Sequence, residues 1–126
     1  MIKGLGNDII EIERIRQTIE KHGPRFYQKI FTEKELEYCL SHKDSAPILA
    51  GRFAAKEAIA KALGTGFGRS VSFLDIEIAN DELGRPFVEF SDSINHDFNS
   101  PQILITISHC KDYASAVALW IEGVVG

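Results

Sequence analysis

Cysteine is scarce: Cys39 and Cys110 are the only two in 126 residues, and they show no CxxC spacing. That usage argues against a disulfide-stapled secreted scaffold and against zinc, and predicts reduced thiols in a cytoplasmic protein. Long apolar runs are also missing. None approaches the ~20 residues a spanning helix needs, and no charged segment followed by an apolar one opens the chain, so a soluble, unprocessed protein outside the membrane is expected. An excess of positive charge is absent too. The formal net charge is -4, which argues against a general nucleic-acid or membrane-surface binder. No internal repeat, low-complexity tract or linker-like shift in composition interrupts the chain. What is present, 44% hydrophobic and 25% charged residues, predicts one domain over residues 1–126 with one core, burying roughly two-thirds of its unfolded surface.

The first half reads as helical. Residues 2–10 suggest a short strand, followed by a helix from about Glu11 in which Ile12, Ile15 and Ile19 recur at helical spacing until Gly23-Pro24 interrupts it. Thr32 and Glu35 have the spacing of a capping box, predicting a second helix through Leu36 and Leu40. A third and longest helix is expected from near Pro47 to a stop at Gly64. The second half changes period. Leu74, Ile76 and Ile78 alternate with Asp75 and Glu77, and NDELGRP then reads as a turn into FVEF, so a hairpin is predicted. Residues 103–107 and 114–121 are apolar on both faces and read as central strands, joined by a connection containing His109, Lys111 and Asp112. Helices early and antiparallel strands late predict an α+β domain, with the N-terminal helices packed on an antiparallel sheet.

The stretch FAAKEAIAK, residues 53–61, carries charge inside an alanine-rich helix. At 100° per residue Glu57 and Lys61 lie ~40° apart and share a sector with Ala50, Phe53 and Ala54, so the pair is expected to face a cleft. The bland alternative is an exposed i,i+4 pair worth about 0.2–0.5 kcal/mol. A second acid, Asp8, stands at the end of the apolar first strand, where it could equally serve as a turn or helix-start residue. Two carboxylates brought together would offer oxygen ligands with open positions, a set that suits magnesium completed by waters and substrate phosphates. A nearby lysine would neutralise those phosphates.

GLGNDIIEIERI at 4–15, RFAAKEAIAKALGTG at 52–66 and ISHCKDYASAVA at 107–118 resemble the three signature regions of the holo-acyl-carrier-protein synthases, which are 4′-phosphopantetheinyl transferases. The FTEKE segment at 31–35 shares in the likeness, which spans nearly the whole chain. Its specific part is Gly-x-Asp followed by aromatic-x-x-Lys-Glu-Ala-x-x-Lys, here Gly6, Asp8, Phe53, Lys56, Glu57, Ala58 and Lys61. The resemblance implies an α+β 4′-phosphopantetheinyl transferase fold and a homotrimer with active sites between subunits. It also implies a Mg²⁺-dependent attack of a carrier-protein serine on the β-phosphorus of coenzyme A, in support of fatty acid biosynthesis. Asp8 and Glu57 match the metal ligands. Lys61 would support the charge on the leaving group, and Glu57 could accept the serine proton directly or through a metal-bound water. The resemblance further places His109 at the coenzyme A site.

GTGFG at 64–68 looks like a phosphate-cradling loop, but it follows a helix instead of preceding one, so Gly64 reads as a helix stop. Gly66 and Gly68 would let backbone approach the ligand. Cys110 beside His109 is not read as a nucleophile, because neighbouring strand residues point to opposite faces. From Arg14 to Lys29 there are five Lys/Arg and one acid, a formal +4. This is either a solvated helix face or a dock for something acidic; the resemblance makes the docked partner acyl carrier protein. Asn7 departs from the small or apolar residue expected before Asp8, and its amide is expected to reorient the carboxylate or bond a metal-bound water. Two other functions fit the residues alone: another Mg²⁺-dependent phosphotransferase or hydrolase using the same acids, and a non-catalytic adaptor for an acidic helix.

Overall fold

A computed structural model describes residues 1–67 and 71–122. The elements run β1 (Ile2–Glu11), α1 (Ile12–His22), α2 (Pro24–Ile30), α3 (Glu33–Leu40), α4 (Ala46–Leu63), β2 (Ile76–Asn80), β3 (Pro86–Phe90), α5 (Asp92–Asp97), β4 (Gln102–His109) and β5 (Tyr113–Ile121). Among the described residues two antiparallel sheets form, one of three strands in the order β1-β5-β4 and one hairpin of β2 and β3. This is the α+β arrangement expected from helices early and strands late.

Helix α4 is the centre of the molecule. Its apolar residues point in all directions and are buried along most of its length, the pattern of a helix enclosed by other elements instead of one with a wet face. Pro47 lies in its first turn, and Gly64 ends it at φ 81°, with a backbone N–H directed at the Ala60 and Lys61 carbonyls. One side of α4 packs against β2, α5 and the inner face of the three-stranded sheet, through Ile59, Ile76, Ile94 and Ala116. The other packs against α1 and α3, through Ile12, Ile15, Cys39 and Leu49.

Strand β1 lies directly on this helix because of two glycines. A Cβ at Gly4 would collide with the Ala62 carbonyl oxygen and one at Gly6 with the Ala58 carbonyl oxygen. The Gly-Leu-Gly of the sequence is therefore a seat for the helix backbone.

The capping box forms: Thr32 Oγ1 accepts from the Glu35 N–H at 3.3 Å, and Glu35 Oε1 accepts from the Thr32 N–H at 2.9 Å. Its acid has a second use. Glu35 is buried, accepts the Ile78 N–H at 2.9 Å through Oε2, and pairs with Lys56 Nζ at 2.6 Å. Burial holds the Lys56 pKa below its ordinary value, and Glu35 offsets only part of that. Lys56 is thus a core residue, about 100° around α4 from its neighbour Glu57. Arg52, also buried, lays its guanidinium over Tyr38 and donates to Asn80 Oδ1; among the described residues its Nε is the one buried side-chain polar atom without a partner.

Several expectations change in detail. The helix after β1 begins at Ile12, because Glu11 still pairs with Tyr113 in the sheet. Gly23-Pro24 interrupts the first helix as expected, Gly23 capping α1 at φ 56°, but Pro24 then opens α2, a helix that was not expected. Leu74 is not in the hairpin. It lies in a 3₁₀ turn, Phe73–Asp75, capped through Ser72 and Asp75, and is 47% exposed. The hairpin itself forms as expected, its turn tied by Asp81 Oδ1 accepting the Leu83 and Arg85 N–H groups. Strand β4 is an edge strand and only β5 is central. α5 was not expected; six residues are too short for periodicity, and its signal was Ser91 capping Ile94.

Cys39 is buried and Cys110 exposed, both free; burial pushes the Cys39 thiol up to about 11, which leaves it unreactive. Among the described residues no helix is long and apolar enough to cross a membrane.

Candidate functional site

Side chains along β1 alternate, so the residues that share a face with Gly4 and Gly6 point at α4. Asp8 is the next of these. It sits within the strand, three residues before its end, and not at a turn. With Gly6 seated over Ala58, the residue next to Glu57 and about one turn before Lys61, Asp8 arrives beside Glu57 and Lys61. Lys61 Nζ donates to Asp8 Oδ1 at 3.1 Å and to the Asn7 carbonyl at 2.9 Å. Lys61 therefore spans from helix to strand and does not form the local ion pair with Glu57 that its spacing allowed; among the described residues its salt bridge is to Asp8. The Asn7 side chain alternates to the exposed opposite face of the sheet, so its backbone, not its amide, takes part.

Asp8, Glu57 and Lys61 line a cavity of about 360 Å³ with Arg14, Thr18, Phe26 and Phe53. Burial raises the pKa of the Glu57 carboxyl, the Asp8 charge raises it further, and Lys61 opposes both. With Arg14 counted, the two acids and two cations of the lining balance in formal charge, so what would hold a cation is the pair of carboxylate oxygen donors itself. Two oxygen donors with open space before them fit magnesium, which keeps several waters. Among the described residues no cluster of three or more His, Cys, Asp or Glu could close an all-protein metal cage.

The other expected contacts are not in this cavity. Gly64 is the C-cap of α4, and Gly66 follows it at φ 60°; Gly68 lies outside the described residues. His109 ends β4 and is exposed, and in register it stands across Ala114 from Ile10, with β5 between it and β1.

Phe53, expected in the sector of Glu57 and Lys61, does line the cavity, one turn before Glu57 on the same face of α4. Arg14, Thr18 and Phe26 line it as well, and sequence reasoning gave them no place in the site. Arg14 and Phe26 were visible only as part of a basic stretch, because nothing local shows that α1 and α2 fold over the end of β1. Arg16 leaves the docking cluster: its guanidinium bonds both Asp44 oxygens, at 2.8 and 3.2 Å, and Glu13 at 3.3 Å. Among the described residues, the basic face free of such pairing runs through Arg14, Lys21, Arg25 and Lys29, and its Arg14 end opens into the cavity.

Comparison with known proteins bears on the same residues. A family model described as the 4′-phosphopantetheinyl transferase superfamily matches residues 4–118. A holo-[acyl-carrier-protein] synthase of Protochlamydia amoebophila is 56% identical over 120 residues, covering 95% of this chain and 98% of its own. Among solved structures, the holo-[acyl-carrier-protein] synthase of Neisseria meningitidis superposes with a TM-score of 0.89 at 34% identity, over 97% of this chain and 100% of its own. That of Helicobacter pylori, solved in complex with coenzyme A, superposes with a TM-score of 0.86 at 33% identity, over 93% and 99%.

Proposed function

Because the chain belongs to the 4′-phosphopantetheinyl transferase superfamily, we propose that it transfers 4′-phosphopantetheine from coenzyme A to a serine of apo acyl carrier protein. The products are holo acyl carrier protein and adenosine 3′,5′-bisphosphate. It is a transferase with coenzyme A as substrate and acyl carrier protein as partner, working in the cytoplasm in fatty acid biosynthesis, and residues 1–126 form one catalytic domain. The observation that carries the site assignment is the meeting of Asp8, Glu57 and Lys61 in one cavity.

Asp8 and Glu57 would hold Mg²⁺, which when bound supplies charge neutralisation for the diphosphate oxygens. Lys61, oriented by Asp8 and the Asn7 carbonyl, presents its ammonium to the same diphosphate and supports the negative charge that grows on the leaving group. Glu57 would accept the proton of the serine hydroxyl, directly or through a water, since it lines the cavity while Asp8 is engaged by the Lys61 ammonium. Lys61→Met keeps the helix and the apolar stem but cannot neutralise phosphate. It is expected to lower kcat and coenzyme A affinity with little change in melting temperature; kinetics matching wild type would return Lys61 to a merely structural pair with Asp8.

Gly64, Gly66 and His109 are assigned to coenzyme A binding, and because they lie outside the cavity in their own chain, a neighbouring subunit completes each site. The outer face of the β1-β5-β4 sheet supports such an assembly. Leu5, Leu119 and Leu104 form a row across the three strands, and Leu5, Ile9, Leu104 and Val117 are 67%, 65%, 59% and 41% exposed. A contiguous apolar sheet face of this kind marks an interface. We assign it to a homotrimer. Sedimentation should give a trimer, and Leu5→Lys should dissociate it; a wild-type monomer at micromolar concentration contradicts the assignment.

Acyl carrier protein docks on the basic region Arg14 to Lys29. Lys21→Glu with Arg25→Glu, which leaves the cavity-lining Arg14 in place, should cut its association rate at least about tenfold and flatten the salt dependence that screening imposes on the wild type, while calorimetry finds coenzyme A binding unchanged. An unaltered carrier on-rate removes the docking assignment.

The decisive experiment is mass spectrometry of apo carrier protein incubated with coenzyme A, Mg²⁺ and the enzyme. A phosphopantetheine mass gain is expected. Phosphate release without transfer would make the protein a hydrolase, and binding alone an adaptor.

A further inference from the structure

The Glu35–Lys56 pair has no exposure at either side chain. Two charges carried that far into the core gain little over well-packed apolar residues of the same volume, because desolvation offsets their attraction. Lys56 has further work that an apolar residue could not do. Besides Glu35, its ammonium donates to the Ile30 carbonyl at 2.7 Å and to the Phe73 carbonyl at 3.0 Å, which uses all three of its hydrogens. Ile30 is the last residue of α2, where carbonyls lack intrahelical partners. Phe73 opens the 3₁₀ turn before β2. One atom of α4 therefore holds two segments that approach the helix from far along the chain.

Each segment carries an aromatic connection to the cavity. The Phe73 ring stacks on Phe53 at 5.6 Å and on Phe67 at 3.9 Å. On the α2 side, the Lys56 ammonium lies 5.6 Å from the Phe31 ring, which meets Phe26 edge-on at 6.3 Å. Phe53 and Phe26 both line the cavity that holds Glu57.

We infer that Lys56, held by Glu35, is a positioning residue: it pins the end of α2 and the Phe73 turn to α4 and so sets the separation of the Phe26 and Phe53 walls of the cavity. This rests on the transferase reading in one respect, that the carrier protein enters from the α1–α2 side, between those walls. Lys56→Met keeps the length and apolar stem of the side chain and removes all three donated hydrogen bonds.

In the full-length protein, at a temperature where circular dichroism shows it folded, Lys56→Met should raise KM for apo carrier protein about tenfold, as expected when a wall moves by a fraction of an ångström to an ångström. KM for coenzyme A should stay within about twofold, since Asp8, Glu57 and Lys61 are untouched. A purely structural role would lower kcat through an inactive fraction and move neither KM, and that result overturns the inference. Phe73→Leu leaves the buried pair and the backbone carbonyl in place, and should shift carrier KM in the same direction; if it does not, the wall is not set through Phe73 and the inference fails, including the case in which Lys56→Met does not fold. Nuclear Overhauser contacts between the Phe53 and Phe73 rings give a readout that needs no activity. They should weaken in Lys56→Met, and their full retention overturns the inference even if the wild type transfers nothing, an outcome that would separately sink the transferase reading.

Discussion

Glu57→Gln is expected to abolish phosphopantetheinyl transfer, by about a thousandfold or more, while making the metal-free protein more stable. The loss follows because a ligand and proton acceptor disappears together with several kcal/mol of charge organisation around the diphosphate. The gain in stability follows from the same geometry. Burial and the Asp8 charge hold the Glu57 pKa above its ordinary 4.5, so between that value and its folded pKa the native state binds more protons than the unfolded chain. Stability of the metal-free protein therefore falls as pH rises through that window. Glutamine has no such segment, so the variant should gain on the wild type progressively above pH 4.5. Asp44, Asp75 and Asp81 have lowered pKa values and act in the opposite sense at lower pH, where their contribution is lost as they protonate; being common to both proteins, they cancel in the comparison. Thermal unfolding in a chelator across pH 4 to 8, paired with transfer assays over a Mg²⁺ series, tests both halves. Near-wild-type activity at any Mg²⁺ concentration would show that Glu57 is not a ligand.

Gly6→Ala is expected to cost about 3 kcal/mol or more of stability, at or beyond the upper end for overpacking, because the atom a methyl group meets is a helix carbonyl and not a movable side chain. The Ala58 carbonyl oxygen occupies the space that the new Cβ would need. To make room β1 must lift from α4, and Asp8 two residues along lifts with it. A displacement near 1 Å at that carboxylate predicts a loss of about a hundredfold in transfer. Gly4→Ala meets the Ala62 carbonyl in the same way, but it lies two residues farther from Asp8. It should match Gly6→Ala more closely in lost stability than in lost activity. Chemical denaturation and kcat/KM on both variants check this, and a Gly6→Ala protein with wild-type stability and turnover would mean that Asp8 is placed by something other than the close approach.

Features governed by neighbours within a turn or two were legible in the sequence. Thr32 and Glu35 cap α3, Gly64 stops α4, and the turn at Asp81 to Arg85 closes the predicted hairpin. Each depends on backbone groups only a few residues away. The site was half legible for the same reason: helical periodicity puts Phe53, Glu57 and Lys61 on one face whatever surrounds the helix. The Gly-x-Asp spacing likewise guarantees that Gly6 and Asp8 share a strand face.

Tertiary structure decided the rest, because the deciding groups are far apart in the chain. Lys61 had one acid within reach along the helix, Glu57, and only the seating of β1 on α4 turned it to Asp8, 53 residues away. Lys56 and Glu57 are adjacent, yet one is a core cation tied to Glu35 and the other lines a cavity, since successive helix positions diverge by about 100° and the chain packs on both sides. Apolar periodicity marked β4 and β5 alike; pairing made β5 central and left Leu104 of β4 exposed. Residue spacing along the chain determines which side chains share a face. Which face is covered, and by what, depends on close contacts between segments that spacing cannot report.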